Sequence, residues 1–155
     1  MQVFLVQHGE AKPETEDPAR PLSDRGREEV QQVARRAAAL RLQVTAIYHS
    51  GKLRARETAE IFAAALAPPH GVHGMDGLTP ADAPGKAGGE IESANEPLML
   101  VGHLPHLRRL ASLLLVGDPE REIIRFRNGA IICLVKSEGG WLLQWVLSPE
   151  LAATG

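Results

Sequence analysis

The sequence holds a single cysteine, Cys133, so no disulfide forms within the chain. Cys133 lies in the apolar run AIICLV, which predicts a buried strand thiol rather than a reactive one. Aromatic residues make up only 4%, and no apolar run approaches the roughly 20 residues a membrane-spanning helix needs. The first residues lack the basic start and cleavage site of a signal peptide, which predicts a cytoplasmic protein. An excess of charge is lacking too. A formal net charge of −2 with mixed signs gives no electrostatic case for nucleic acid or an anionic membrane surface. No internal repeat is present. What remains is 155 residues with 44% hydrophobic and 23% charged content, which predicts one ordinary domain over residues 1–155.

The chain opens on MQVFLVQHGE. Val3 to Val6 is a short apolar run that suits a buried strand, and it stops abruptly at Gln7-His8-Gly9-Glu10. Ligands of open α/β sheets bind at such C-terminal strand ends. Gly9 lets the backbone approach a ligand with no Cβ in the way. After a polar loop, Ser23 is the expected N-cap of a helix whose inner stripe is Val30, Val33, Ala34 and Ala37. Val44 to Tyr48 reads as a second strand, ending in His49-Ser50-Gly51, and a helix follows from Lys52 to Leu66. Its expected inner stripe is Thr58, Ile61, Phe62 and Ala65, and one turn back the stripe reaches Arg54. A guanidinium on the inner side of a first helical turn needs a partner. Arg56, on the other face, reads as a solvated charge.

Residues 67–97 are rich in Gly and Pro and leave room only for a short strand over 72–75 and a frayed helix over 89–95. His70 and His73 fall here as solvated loop residues. Pro97 to Gly102 is the clearest buried strand and runs into His103, with Pro105 as the first residue of the next helix. Leu107, Leu110, Ala111 and Leu114 continue that helix. Strands over 130–136 and 141–147 form an antiparallel hairpin, with Trp141 and Trp145 on one face and a further strand piece over 123–126.

Strand–helix alternation predicts a mostly parallel sheet, so three junctions bring His8, Arg54 and His103 to one edge. Two imidazoles and a guanidinium suit an anion, above all phosphate. A neutral imidazole nitrogen can attack phosphorus, while the second histidine and backbone N–H groups at a helix start hold the oxygens. A metal is the competing reading, since His103 and His106 stand three apart. Hard-ion phosphatases use several carboxylates, however, and Glu10 is the one carboxylate at these strand ends.

At MQVFLVQHGEA, RPLSDRG, SGKLRARETAE and LVGHLPHL, in that order, the chain resembles the histidine phosphatase superfamily, and most of all its small SixA-type phosphohistidine phosphatases. The resemblance implies a three-layer α/β/α sandwich of the phosphoglycerate-mutase-like kind. It also implies His8 as the phosphorylated nucleophile, Arg54 and His103 as its partners, and no metal or cofactor. Gln7, Gly9 and Leu104 complete the expected phosphate contacts, and Glu10, Arg20 and Ser50 are the expected edge of the substrate pocket. The expected ligands are a phosphate- or sulfate-type anion and, as substrate, a phosphohistidine-bearing histidine phosphotransfer or phosphocarrier domain.

Where the family has arginine before the nucleophile, this chain has Gln7. Loss of that cation predicts a higher pKa for His8, and so less neutral nucleophile near pH 7. Arg20 is the candidate to compensate. The region after Asp76 carries no carboxyl in the place where larger relatives keep a general acid, with Asp76, Asp82 and Glu10 as the remaining candidates. A phosphohistidine phosphatase is therefore the leading expectation. A general phosphomonoesterase and a phosphate-binding module silenced by Gln7 stand beside it.

Overall fold

A computed structural model describes residues 1–153, so the last two residues of the expected 1–155 domain lie outside the described residues. The elements run β1 (Gln2–Gln7), α1 (Asp24–Ala39), β2 (Ala46–His49), α2 (Leu53–Leu66), β3 (Val72–Gly74) and α3 (Gly85–Ser93). They continue as β4 (Leu98–Gly102), α4 (His106–Val116), β5 (Ile131–Ser137), β6 (Gly140–Leu147) and α5 (Pro149–Ala152). One six-stranded sheet has the order β3-β2-β4-β1-β5-β6. The first four strands in that order are parallel, and β5 and β6 close the other side as an antiparallel hairpin.

The alternation of side chains along β1 builds both faces of the core. Phe4 and Val6 meet Val30, Val33 and Ala37 of α1 and Ala55, Ala59 and Phe62 of α2. Val3 and Leu5 meet Ala87 and Ile91 of α3 and Leu107 and Leu110 of α4. Val3 to Val6 are 0% exposed, as expected of a strand covered by helices on both faces. The result is the α/β/α sandwich. Ser23 caps α1 as expected, its side chain accepting from the Gly26 N–H at 3.0 Å.

Several expectations change. Strand β2 starts at Ala46 because pairing to β4 starts there, although Val44 is buried. The buried face of α2 is Ala55, Thr58, Ala59 and Phe62, with Ile61 and Ala65 only flanking it. Helix α3 begins at Gly85 in spite of its glycines. Packing overrides propensity there: Ala87 and Ile91 of α3 are buried in one cluster with Leu107 and Leu110 of α4. Pro105 precedes α4 rather than starting it, after a cis Leu104–Pro105 peptide. Residues 123–126 form no strand, though Ile124 is buried.

The two tryptophans lie on opposite faces of the sheet, not on one. Cys133 pairs with Trp145 and Leu134 with Leu143, so Gln144 is an extra residue in β6. That bulge reverses the alternation between them. Trp141 joins the α3/α4 side, while Trp145 packs beside Phe4 on the α1/α2 side. Among the described residues, no helix is long and apolar enough to cross a membrane.

Candidate active site

Strands β2, β4 and β1 are neighbours in the sheet, so the turns after them open on one edge. Sequence separation is thereby converted into proximity. His8 is clamped through its backbone: its N–H donates to Gly102 O at 3.0 Å, and Asn128 Nδ2 donates to His8 O at 2.8 Å. Gly9 is sterically required, because a Cβ there would stand 2.6 Å from Val30 Cγ2. Its N–H donates to Thr58 Oγ1 at 3.0 Å, and the Thr58 hydroxyl donates to Arg54 O at 2.8 Å. The histidine turn and the arginine turn are thus tied together by one buried hydroxyl.

The rings of His8 and His103 lie 5.0 Å apart between centroids. His8 Nδ1 is 2.7 Å from Gly9 O. A carbonyl only accepts, so the neutral ring carries its proton on Nδ1 and presents the lone pair on Nε2. His103 is 1% exposed, with Nε2 at 2.6 Å from Ser50 Oγ. The Arg54 charge acts on both imidazoles. Arg54 Nε, His103 Nδ1 and Gln7 Oε1 are buried without a hydrogen-bond partner. A half-turn of the Gln7 amide would present its NH2 group as a donor instead.

Burial pushes His8 down to about 4; the Gly9 carbonyl partly opposes this, and Arg54 and Arg20 add to the lowering. Burial likewise pushes His103 down to about 3, helped by His8, Arg54, Lys52 and His106. The rise expected for His8 from the loss of a cation at Gln7 is therefore corrected. Desolvation of the ring outweighs the missing charge, and both imidazoles are neutral at pH 7. Burial also lowers Arg54, with Arg20 adding to it. Arg20 thus lies within electrostatic reach of His8 and Arg54. Its Nε donates to Lys12 O at 3.1 Å, and its backbone is held at φ 50°.

Other expected residues are placed differently. Glu10 is tied to the start of α1, where its Oε1 accepts from Ser23 Oγ at 2.9 Å. Leu104 follows His103 and is 39% exposed. Arg56 is a surface residue paired with Glu60 at 3.6 Å. His70 and His73 are exposed, His73 facing Tyr48. His106 is fully buried with both ring nitrogens unpartnered. Among the described residues, no group of three or more His, Cys, Asp or Glu is placed to hold a metal ion. The Arg54 charge would also oppose a cation beside the imidazoles. Thr58 and Asn128 are the supporting residues that sequence reasoning did not assign. Thr58 carried a signal, a hydroxyl four residues after Arg54 on the buried face of α2; Asn128 carried none.

A mostly parallel α/β/α sandwich with two neutral imidazoles and a guanidinium at its C-terminal edge defines a phosphatase class of protein. The family model of the histidine phosphatase superfamily (branch 1) matches residues 3–81. An uncharacterized protein of Picosynechococcus is 34% identical over 144 residues, covering 84% of this chain and 87% of the relative. The phosphohistidine phosphatase SixA of Escherichia coli is 27% identical over 155 residues, covering 96% and 94%. Among solved structures, the protein histidine phosphatase SixA complexed with tungstate superposes with a TM-score of 0.85 at 26% identity, covering 96% of this chain and 97% of that one. The chain belongs to the histidine phosphatase superfamily and is SixA-like.

Proposed function

We propose that this phosphatase acts on protein phosphohistidine, without a metal, through a phospho-His8 intermediate, with residues 1–155 working as one domain. The observation that carries the reading is the state of His8: neutral, its proton fixed on Nδ1 by Gly9 O at 2.7 Å, and its Nε2 free. That nitrogen attacks phosphorus. The Arg54 guanidinium and the His103 ring take the charge of the phosphoryl oxygens, with the Leu104 N–H and the Gln7 amide nearby, whereas the Gly9 N–H is spent on Thr58 Oγ1. Arg20 supplies part of the positive field that an arginine at position 7 would have given. Water then hydrolyses phospho-His8.

The carboxylates favour phosphohistidine over an ester. Asp76 is 95% exposed and 3.9 Å from Lys86, and Glu10 is engaged by Ser23. Hydrogen bonds from Thr79 hold Asp82 below the usual carboxylate range. None is poised to protonate an alkoxide. An imidazole that keeps its distal proton leaves as a neutral base whose conjugate acid has a pKa of about 6.5, and needs no such acid. The E. coli relative's name and the tungstate carried by a SixA structure support the reading. A histidine phosphotransfer or phosphocarrier domain in the cytoplasm is the fitting substrate.

The test is turnover of a phosphohistidine protein, p-nitrophenyl phosphate and a sugar phosphate by wild type and His8→Ala, with trapping of labelled phosphate on His8. Preference for the phosphohistidine protein, abolished by His8→Ala, is expected. Preference for esters would favour the general phosphomonoesterase, and absence of any phosphoenzyme would favour a silent binding module.

A further inference from the structure

Beside His103 a cavity of about 500 Å³ is lined by Ser50, Asp76, Thr79, Asp82 and Lys86. Ser50 is the wall it shares with the imidazole pair, since Ser50 Oγ is 2.6 Å from His103 Nε2. One group in this cavity is fixed in place. Asp82 Oδ2 accepts from the Thr79 N–H at 2.9 Å and from Thr79 Oγ1 at 2.6 Å, which sets the plane of the carboxylate. Oδ1 keeps no hydrogen bond of its own among the described residues. Asp76 is already opposite Lys86 and turned to solvent, so Asp82 is the acceptor that faces the cavity unspent.

Transfer of a phosphoryl group between two imidazoles imposes a symmetric demand. Each ring leaves easily only if its distal nitrogen stays protonated, because it then departs neutral rather than as an imidazolate. On the enzyme's side the Gly9 carbonyl meets this demand at His8 Nδ1. The substrate's ring requires an acceptor of the same kind. The geometry points to this cavity as the leaving-group site, which takes the imidazole of a phosphohistidine side chain, with Asp82 Oδ1 accepting its distal N–H. This rests on the phosphohistidine reading above. In the step, His8 Nε2 gives its lone pair to phosphorus and the substrate's N–P bond breaks. The bonding pair returns to the substrate nitrogen, and the distal N–H stays where it was. No proton moves, so no acid is needed. An ester's leaving oxygen has no such N–H and gains nothing from a carboxylate there.

The charged and titratable neighbours that act on Asp82 are Lys86 of α3 and His106 of α4, both favouring its ionised form. The test compares wild type, Asp82→Asn and Asp82→Ala on a histidine peptide phosphorylated with phosphoramidate and on p-nitrophenyl phosphate. Asn keeps an acceptor for the Thr79 N–H and guards against a folding defect. The expected result is a fall in the kcat/KM ratio of phosphohistidine over ester by roughly tenfold to a hundredfold, the worth of one charged hydrogen bond. The fall is larger at pH 8.5 than at pH 6, where solvent keeps the free phosphoimidazole protonated. An unchanged ratio in both variants, or equal losses on both substrates, overturns the assignment of Asp82. A wild type that turns over only the ester defeats the phosphohistidine reading itself.

Discussion

Gly26→Ala sets two rules against each other at one atom. Gly26 lies in the first turn of α1, where alanine is the better helix former by about 0.5–1 kcal/mol. Propensity alone therefore predicts a more stable protein. A Cβ at Gly26 would overlap the Glu10 carbonyl oxygen and stand 2.8 Å from the Glu10 carbonyl carbon and nitrogen. Non-bonded carbons rest about 3.5–4.0 Å apart, so the Glu10 backbone has to retreat by roughly an ångström. It cannot do so freely, because Glu10 O accepts from the Ser23 N–H at 2.9 Å and from Ser23 Oγ at 3.3 Å. Overpacking of this kind costs about 1–3 kcal/mol, beyond the propensity gain. For a chain of this length each kcal/mol moves Tm by about 2–4 °C. Thermal unfolding followed by circular dichroism is expected to show a Tm lower by roughly 2–12 °C. Turnover falls with it, since Glu10 is two residues from His8. A Tm equal to or above wild type would refute the steric reasoning and leave propensity in charge.

Thr58→Val removes the hydroxyl between the two active-site turns and leaves the Gly9 N–H buried without an acceptor, a loss of about 1–3 kcal/mol. Thr58→Ser keeps both bonds, so a Val variant matching Ser in denaturant midpoint and kcat would contradict the assignment. Gln7→Arg restores a charged donor, and kcat/KM on phosphohistidine is expected to rise by roughly one to two orders of magnitude; equal or lower turnover rejects it. Because His8 is held at about 4 and His103 at about 3, both below the ordinary 6.5, the unfolded chain binds more protons than the native one between those values. Stability is then full above about pH 6.5 and declines as pH falls toward 3. Urea titrations at pH 7.5 and 4.5 should show that decline, less steep in His8→Ala; identical slopes for the two proteins would exclude the His8 contribution.

Strand β1, the cap at Ser23, the inner stripe of α1 and the hairpin were legible in the sequence because local spacing and short-range chemistry determine them. The same holds for the residue types at the strand ends: His8, Arg54 and His103 each follow an apolar run or open a helix. What spacing could not show was set by contacts between distant segments. The start of α3 was hidden by its glycines, which local propensity reads as helix breakers, while burial of Ala87 and Ile91 against α4 holds the helix. The faces of Trp141 and Trp145 were misassigned because an extra residue at Gln144 has no signature of its own in β6. The charge state of His8 was misjudged from its neighbour in sequence, when burial under the fold decides it.

The sequence by itself determined the two-faced core strand β1, helix α1, the C-terminal hairpin and the imidazoles and guanidinium available for chemistry, since each follows from side-chain pattern within a few residues. Only the tertiary structure decided that β2, β4 and β1 lie side by side, that Asn128 and Thr58 lock the His8 turn, and that both imidazoles are neutral. Those outcomes depend on desolvation and on hydrogen bonds closed across 49 and 120 residues of chain, distances over which local pattern carries no information.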